Sequence, residues 1–254
     1  MLLDRVSRLK VYFLKPHNLM FNWLNNRSLK EEIMDDFSCE GEVVDQTLKE
    51  LHHINFYLGG DQISINGLKF LINKDPKQEY KIVDLGCGGG DTLKIFDKWA
   101  KKNNFHFDLV GVDANEYIIN YAQKNCIKNS NISFLSGNVL SDNFKNKKFD
   151  IAHASLFLHH FQDEEIVNLF KQLLDQVEIG IVINDLHRHW ISYFFTKYFI
   201  ATWSKSAMVK YDSILSVERS FIRKELEAYL KMADIRNYSL RWKWAFRWEL
   251  IIWK

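Results

Sequence analysis

The stretch Asp84-Leu85-Gly86-Cys87-Gly88-Gly89-Gly90-Asp91 is the part of the chain whose residue types and spacing most directly suggest chemistry. A Gly-rich turn lets the backbone bend sharply and approach a ligand closely, and a helix beginning just after it offers free N–H groups. The apolar run before it, Ile82-Val83, reads as a strand, so a nucleotide-like ligand belongs at the carboxyl end of that strand. The spacing narrows the choice. A dinucleotide fingerprint starting at Gly86 needs glycine where Asp91 stands, and no G-x-x-x-x-G-K-[ST] occurs. What remains is D-x-G-x-G-x-G, followed about 20 residues later by a second acid, Asp113, ending another apolar run.

Histidines form the second group. His159-His160 follows one apolar run and Asp185-Leu186-His187-Arg188-His189 follows another. Each set falls where a general base would stand in an α/β sheet, and in extended chain Asp185 lies on the same side as His187, where it can orient the imidazole. If 159–160 is helical, neighbouring side chains diverge by about 100°, so one of the two is expected to face the ligand. No H-E-x-x-H or Cys/His ligand spacing is present, so no metal is expected.

These groups need elements to hold them. Apolar runs at Tyr80–Leu85, Phe107–Val112, Ile132–Leu135, Phe149–Ala154 and Val177–Ile183 read as strands, and Thr92–Lys102, Asn115–Lys128 and Asp163–Leu174 read as the helices between them. Such alternation predicts right-handed βαβ units and a buried parallel sheet. Before it, Val43–Leu58 and Ile63–Leu71 read as helices, the first ended by Gly59-Gly60. After it come an aromatic helix at His189–Ser204, an amphipathic helix at Arg219–Met232, and two strands over Tyr238–Trp253 turning near Ala245-Phe246. The division expected is a loosely attached extension over 1–33 (Met20 and Met34 being alternative starts), a helical cap over 34–75, and a main domain over 76–254 with a helical insertion near 189–218.

Composition sets the outer limits. The 254 residues are 47% hydrophobic and 26% charged, a globular balance, and the net charge of +2 gives no sign of nucleic-acid binding. Cys39, Cys87 and Cys126 are widely spaced with no C-x-x-C pair, which suits a reducing, cytoplasmic setting. The apolar stretch Trp190–Trp203 is interrupted by Lys197 and falls short of the ~18–20 residues that span a membrane.

Taken in order, these motifs resemble the class I S-adenosylmethionine (SAM)-dependent methyltransferases, over roughly residues 43–254. Asp84, Gly86, Cys87, Gly88 and Gly90 match that family's first motif; Gly111-Val112-Asp113 matches its ribose-binding acid; Ser136-Gly137-Asn138-Val139 is similar to its adenine-contacting segment; and the run from Phe149 to Phe161 looks like its fourth-strand motif. The resemblance implies a doubly wound, Rossmann-like α/β fold with a seven-stranded sheet, mostly parallel and closed by a C-terminal antiparallel hairpin. It also implies SAM as cofactor, held by those residues with Ala114 and Ala154, and methyl transfer with His159, His160 or His187 as base. Asn138 departs from the Asp many members carry there, which implies weaker selectivity for adenine. The run Asn184–His189, the apolar helix after it and Tyr211–Phe221 together resemble bacterial secondary-metabolite and pigment-pathway methyltransferases, which implies a small aromatic or hydroxylated acceptor; His189, Trp190 and Phe194, with Tyr57 from the cap, are expected to line its pocket. A homodimer is compatible with this reading. The other readings of the same motifs are a catalytically silent SAM-fold partner subunit and an NAD(P)-dependent oxidoreductase.

Overall fold

The computed structural model describes residues 22–254. The expectations for residues 1–21 fall outside that range. Two helices, α1 (Glu42–Tyr57) and α2 (Gly60–Lys74), precede the alternating core: β1 (Glu79–Leu85), α3 (Asp91–Lys102), β2 (His106–Asp113), α4 (Glu116–Asn125), β3 (Ile132–Ser136), α5 (Asp142–Lys145), β4 (Phe149–Ser155), α6 (Asp163–Gln176) and β5 (Val177–Leu186). The chain then forms α7 (Trp190–Trp203), α8 (Ala207–Arg219), α9 (Arg223–Met232) and the hairpin β6 (Tyr238–Lys243) and β7 (Arg247–Trp253). The sheet order is β3-β2-β1-β4-β5-β7-β6, parallel through β5, with β7 antiparallel to β5 and β6 antiparallel to β7. The seven-stranded, doubly wound sheet with its terminal hairpin is thus the one expected from the sequence.

The parallel strands are apolar on both faces because helices cover both. Val83, Leu85, Val110 and Val112 join one apolar layer with α6 and α9, while Ile82, Leu109, Ile151 and Val182 join the other with α2 and α3. Strand order reverses between β1 and β4, and the crevice at that switch point opens at the strands' carboxyl ends. A smaller cluster, Val44, Leu48, Ile118 and Met208, seats α1 over this edge.

A buried polar chain pins α2 beneath the crevice. Asp84 Oδ1 lies 2.7 Å from His153 Nδ1, and His153 Nε2 lies 2.8 Å from Ser64 Oγ. All three side chains are buried, so this Ser–His–Asp array is structural and open to no substrate. Removing the imidazole leaves a buried carboxylate and hydroxyl without their partner, so His153→Ala should cost about 2–3 kcal/mol in urea unfolding. Unchanged stability would mean water replaces the ring.

Two expectations need correction. The segment up to residue 33 is not loosely attached where it is described: Arg27 donates to the carbonyls of His159, Phe161 and Arg219 and to the Asp163 carboxylate, and Arg188 donates to Leu24 O. Its tethers are ion pairs and carbonyl hydrogen bonds, which leave no apolar period to read. Within the expected helical insertion, 207–219 is a helix of its own, N-capped by Ser206 Oγ accepting from Val209 N–H, and the next helix starts at Arg223 rather than Arg219. Its buried positions include Asp212 and Arg219 beside Leu215 and Val217, which hides the amphipathic pattern.

Candidate active site

One cavity of about 670 Å³ runs along the carboxyl edge of the sheet. The turn after β1 forms its floor. Gly86 takes φ +64°, and a Cβ there would sit 2.2 Å from the Phe157 ring, so this position admits only glycine. Gly88 takes φ +49° and faces the cavity, where its N–H donates to Asp113 Oδ2 at 3.2 Å. Asp113 Oδ1 accepts from Asn115 N–H at 3.1 Å. Asp113 does not cap α4: Asn115 does, accepting from the N–H groups of Tyr117 and Ile118. The acid at the end of β2 is therefore held rigidly at the cavity wall, and burial pushes its carboxyl up from the usual range.

Cys87, Ala114, Asn138 and Val139, read from the sequence as cofactor-binding, also line the cavity. Asn138 Oδ1 accepts from Leu140 N–H at 2.8 Å, which fixes the amide within its own turn. Asp84, Gly90 and Ala154 do not line it. Asp84 is turned into the core toward His153; Gly90 (φ +77°) is the N-cap of α3, packed against Cys126 and Phe134; Ala154 is buried in the sheet. Their neighbours Asp91, Gly89 and Ser155 face the cavity instead.

Near the N-terminus of α2, three buried polar atoms of cavity-lining residues have no hydrogen-bond partner among the described residues: Asn55 Oδ1, Asp61 Oδ2 and Arg247 Nε. Two acceptors and one donor complement an ammonium beside a carboxylate. Together with the Asp113 carboxylate and the open side of Gly88, this donor and acceptor set fits an amino-acid-bearing nucleoside such as SAM.

The acceptor-side expectations shift by helical phase. Ser192, Phe195, Thr196 and Phe199 of α7 face the cavity, whereas Trp190 and Phe194 lie on other faces of the helix. His189 accepts from Ile191 N–H as the N-cap and stacks on Phe246. Tyr57 is 70% exposed and outside the cavity, because Leu48, Leu51, His52 and Asn55 form the inward face of α1. Since α7 is apolar all round, its sequence contains no stripe from which to set the phase.

His159 and His160 both line the cavity. His187 does not: it continues past β5 as a bridge to Phe221, its N–H donating to Phe246 O, and its Nδ1 accepts from Trp242 Nε1, while burial lowers its pKa to about 4. Asp185 serves His159 instead, with Oδ1 2.7 Å from Nδ1 and Oδ2 accepting from Leu158 N–H. His159 Nε2 is buried and 3.5 Å from Glu32 Oε1, within ion-pair range. His160 Nδ1 lies 2.5 Å from Asp35 Oδ1. Glu32, Asp35, Arg27 and Arg219 escaped the sequence reading because over 100 residues separate the N-terminal segment from its partners. Among the described residues, Glu32, His159 and His160 bring three ligating atoms within 4.8 Å of one another, a grouping invisible in local spacing. Both Nδ1 atoms are already engaged by carboxylates.

Burial alone would lower the His159 pKa, but the carboxylates of Asp185 and Glu32 outweigh it and raise it to about 9. His159 is therefore an imidazolium at neutral pH. Its folded pKa lies above the ordinary 6.5, so the stability it contributes, of order 3 kcal/mol, is complete below pH 6.5 and lost as pH rises through 9. Melting temperature should fall across that window in the native chain and stay flatter in His159→Gln; parallel curves would show that the charge contributes nothing.

Comparison with known proteins agrees with this geometry. Residues 82–180 match a family model described as a methyltransferase domain. A phosphoethanolamine N-methyltransferase of Plasmodium falciparum is 26% identical over 122 residues, 46% of this chain and 44% of that protein, so the match spans under half of the relative. Among solved structures, the plantazolicin methyltransferase BpumL in complex with SAH superposes with TM-score 0.62 at 17% identity, covering 82% of this chain and 89% of that one. Human N-acetylserotonin methyltransferase in complex with SAM gives TM-score 0.63 at 12% identity, covering 89% of this chain and 60% of that one. Residues 82–180 thus match a methyltransferase domain, and the chain shares the fold of these methyltransferase structures.

Proposed function

We propose that this protein transfers a methyl group from SAM to a small aromatic or hydroxylated acceptor. The observation that carries the reading is that Asp113 and the glycine turn share one cavity with the His159–His160 pair and an aromatic wall of Phe157, Phe195 and Phe199. SAM, when bound, supplies a methyl group on a sulfonium, open to in-line displacement. The chain's share is to hold the two reactants in line, which can supply much of the rate. Asp113 takes the ribose hydroxyls, and Asn55, Asp61 and Arg247 take the amino-acid end. The aromatic side chains exclude water and hold the acceptor by its rings.

An acceptor hydroxyl must lose a proton. Of the three histidines expected as base, His187 is outside the cavity and His159 is already charged, which leaves His160. A phenol with pKa ~10 keeps its proton at neutral pH, so the proton moves as the methyl group transfers rather than beforehand. Among the described residues no helix is long and apolar enough to cross a membrane, and Cys39, Cys87 and Cys126 are free thiols, which supports a cytoplasmic setting.

The test is mass spectrometry of a panel of phenols, catechols, amines and thiols incubated with SAM and the protein. The reading expects methylated phenolic products. Methylation confined to amines would overturn the acceptor class, and none across the panel would favour the silent-partner alternative.

A further inference from the structure

Residues 22–39 lie outside the matched methyltransferase domain, yet they place two carboxylates at its histidines. Arg27 ties this segment to the carbonyls of His159 and Phe161, and the Asp212 carboxylate accepts from the N–H groups of Ile33 and Met34 at 2.8 and 3.2 Å. The turn Ile33–Asp35 is thereby fixed, with the Asp35 carboxylate accepting from Glu32 N–H at 2.9 Å and set between two side chains. Its Oδ1 faces His160 Nδ1 at 2.5 Å and its Oδ2 accepts from Arg219 Nη1. Arg219 also donates to the His160 carbonyl at 2.6 Å, so the backbone carrying the imidazole and the carboxylate facing it share one anchor.

An ionised carboxylate only accepts hydrogen bonds, so the nitrogen it faces must carry hydrogen. The His160 proton is therefore drawn to Nδ1, and in a neutral ring the lone pair remains on Nε2. His160 is itself part of the cavity wall, whereas His159 is locked between Asp185 and Glu32. We propose that Asp35 is a positioning residue that holds His160 in the Nδ1–H form, leaving Nε2 to take the acceptor's proton, so that the N-terminal segment completes the reacting site. This rests on the reading of His160 as the base.

The test is long-range 1H–15N correlation NMR of the full chain with 15N-labelled histidine and bound SAH at pH 7.5, with His160→Gln providing the assignment. The expected result is a neutral His160 bearing hydrogen on Nδ1. Asp35→Asn should move hydrogen to Nε2 and lower kcat on catechol by about 10²–10⁴-fold, as in other Asp–His pairs, with KM and SAM affinity within about twofold. Asp35→Glu should restore the Nδ1–H signal in part. Hydrogen on Nε2, or on both nitrogens, in the native chain would overturn the proposal. So would an unchanged His160 spectrum in Asp35→Asn. Should the tautomer be as expected while no phenol is methylated, the acceptor reading fails and the positioning role stands.

Discussion

Replacing Asp113 with alanine should weaken SAM and SAH binding by about 100-fold or more, read by calorimetry. The carboxylate is the acid at the end of β2 that faces the cavity, and its geometry is set beforehand by the N–H groups of Gly88 and Asn115. Two ribose hydroxyls donating to one ionised carboxylate form charge-assisted hydrogen bonds, each contributing roughly 1.5–3 kcal/mol. Losing both, with partial compensation by water, gives about 3 kcal/mol, which is about 100-fold in Kd. Asp113→Asn should fall between, because its amide keeps one acceptor. The Gly88 N–H would also lose its partner in the alanine variant, so folded-state stability should be measured alongside. A Kd within threefold of the native value would place the nucleoside elsewhere.

His160→Gln should leave SAM binding intact and lower kcat by about 10²–10⁴-fold, the range typical of a positioned general base. The loss should be greatest for acceptors of high pKa and shrink for nitrophenols, which ionise without help at neutral pH. That graded dependence separates a base from a side chain that only shapes the pocket, since a shape defect would raise KM for both classes alike. His187→Gln is the matched control: its ring lies off the cavity against Trp242, so its kcat should stay within about twofold. Equal losses in the two variants would remove His160 from the mechanism.

The order of elements was legible because each strand is a short apolar run and each intervening helix begins at a polar residue. Val83 and Leu85 on one face and Ile82 on the other show why β1 reads as continuously apolar: both faces are covered. The glycine turn and Asp113, which line the cavity, were equally legible, since glycine positions and an acid at a strand end are local signals. Even there, period-two alternation decides which residue faces the ligand. Asp84 points into the core and pairs with His153, although its place in the motif is the expected one.

The acceptor end was harder for two physical reasons. The phase of α7 is unmarked because aromatic residues surround it, so the sequence points to Trp190 and Phe194 where Phe195 and Phe199 line the cavity. Ion pairs between distant segments leave no periodic trace. Glu32 with His159, Asp35 with His160 and Asp185 with His159 join residues whose partners no spacing rule can name. The strand reading that set Asp185 beside His187 could not foresee competing partners: the Asp185 carboxylate turns to His159, while His187, still bridged to Phe221, meets Trp242.

The central claim is that the cavity formed by the Gly86–Gly90 turn and Asp113 binds SAM. Its most direct test is thermal unfolding of the native chain and of Asp113→Ala with SAM, with SAH and with NADH. A ligand at 100 times its Kd adds about 2.7 kcal/mol of stability, so SAM and SAH should each raise the native melting temperature by several degrees. NADH should not, and Asp113→Ala should show almost none of the gain. Stabilisation by NADH alone, or an equal SAM shift in both proteins, would contradict the account.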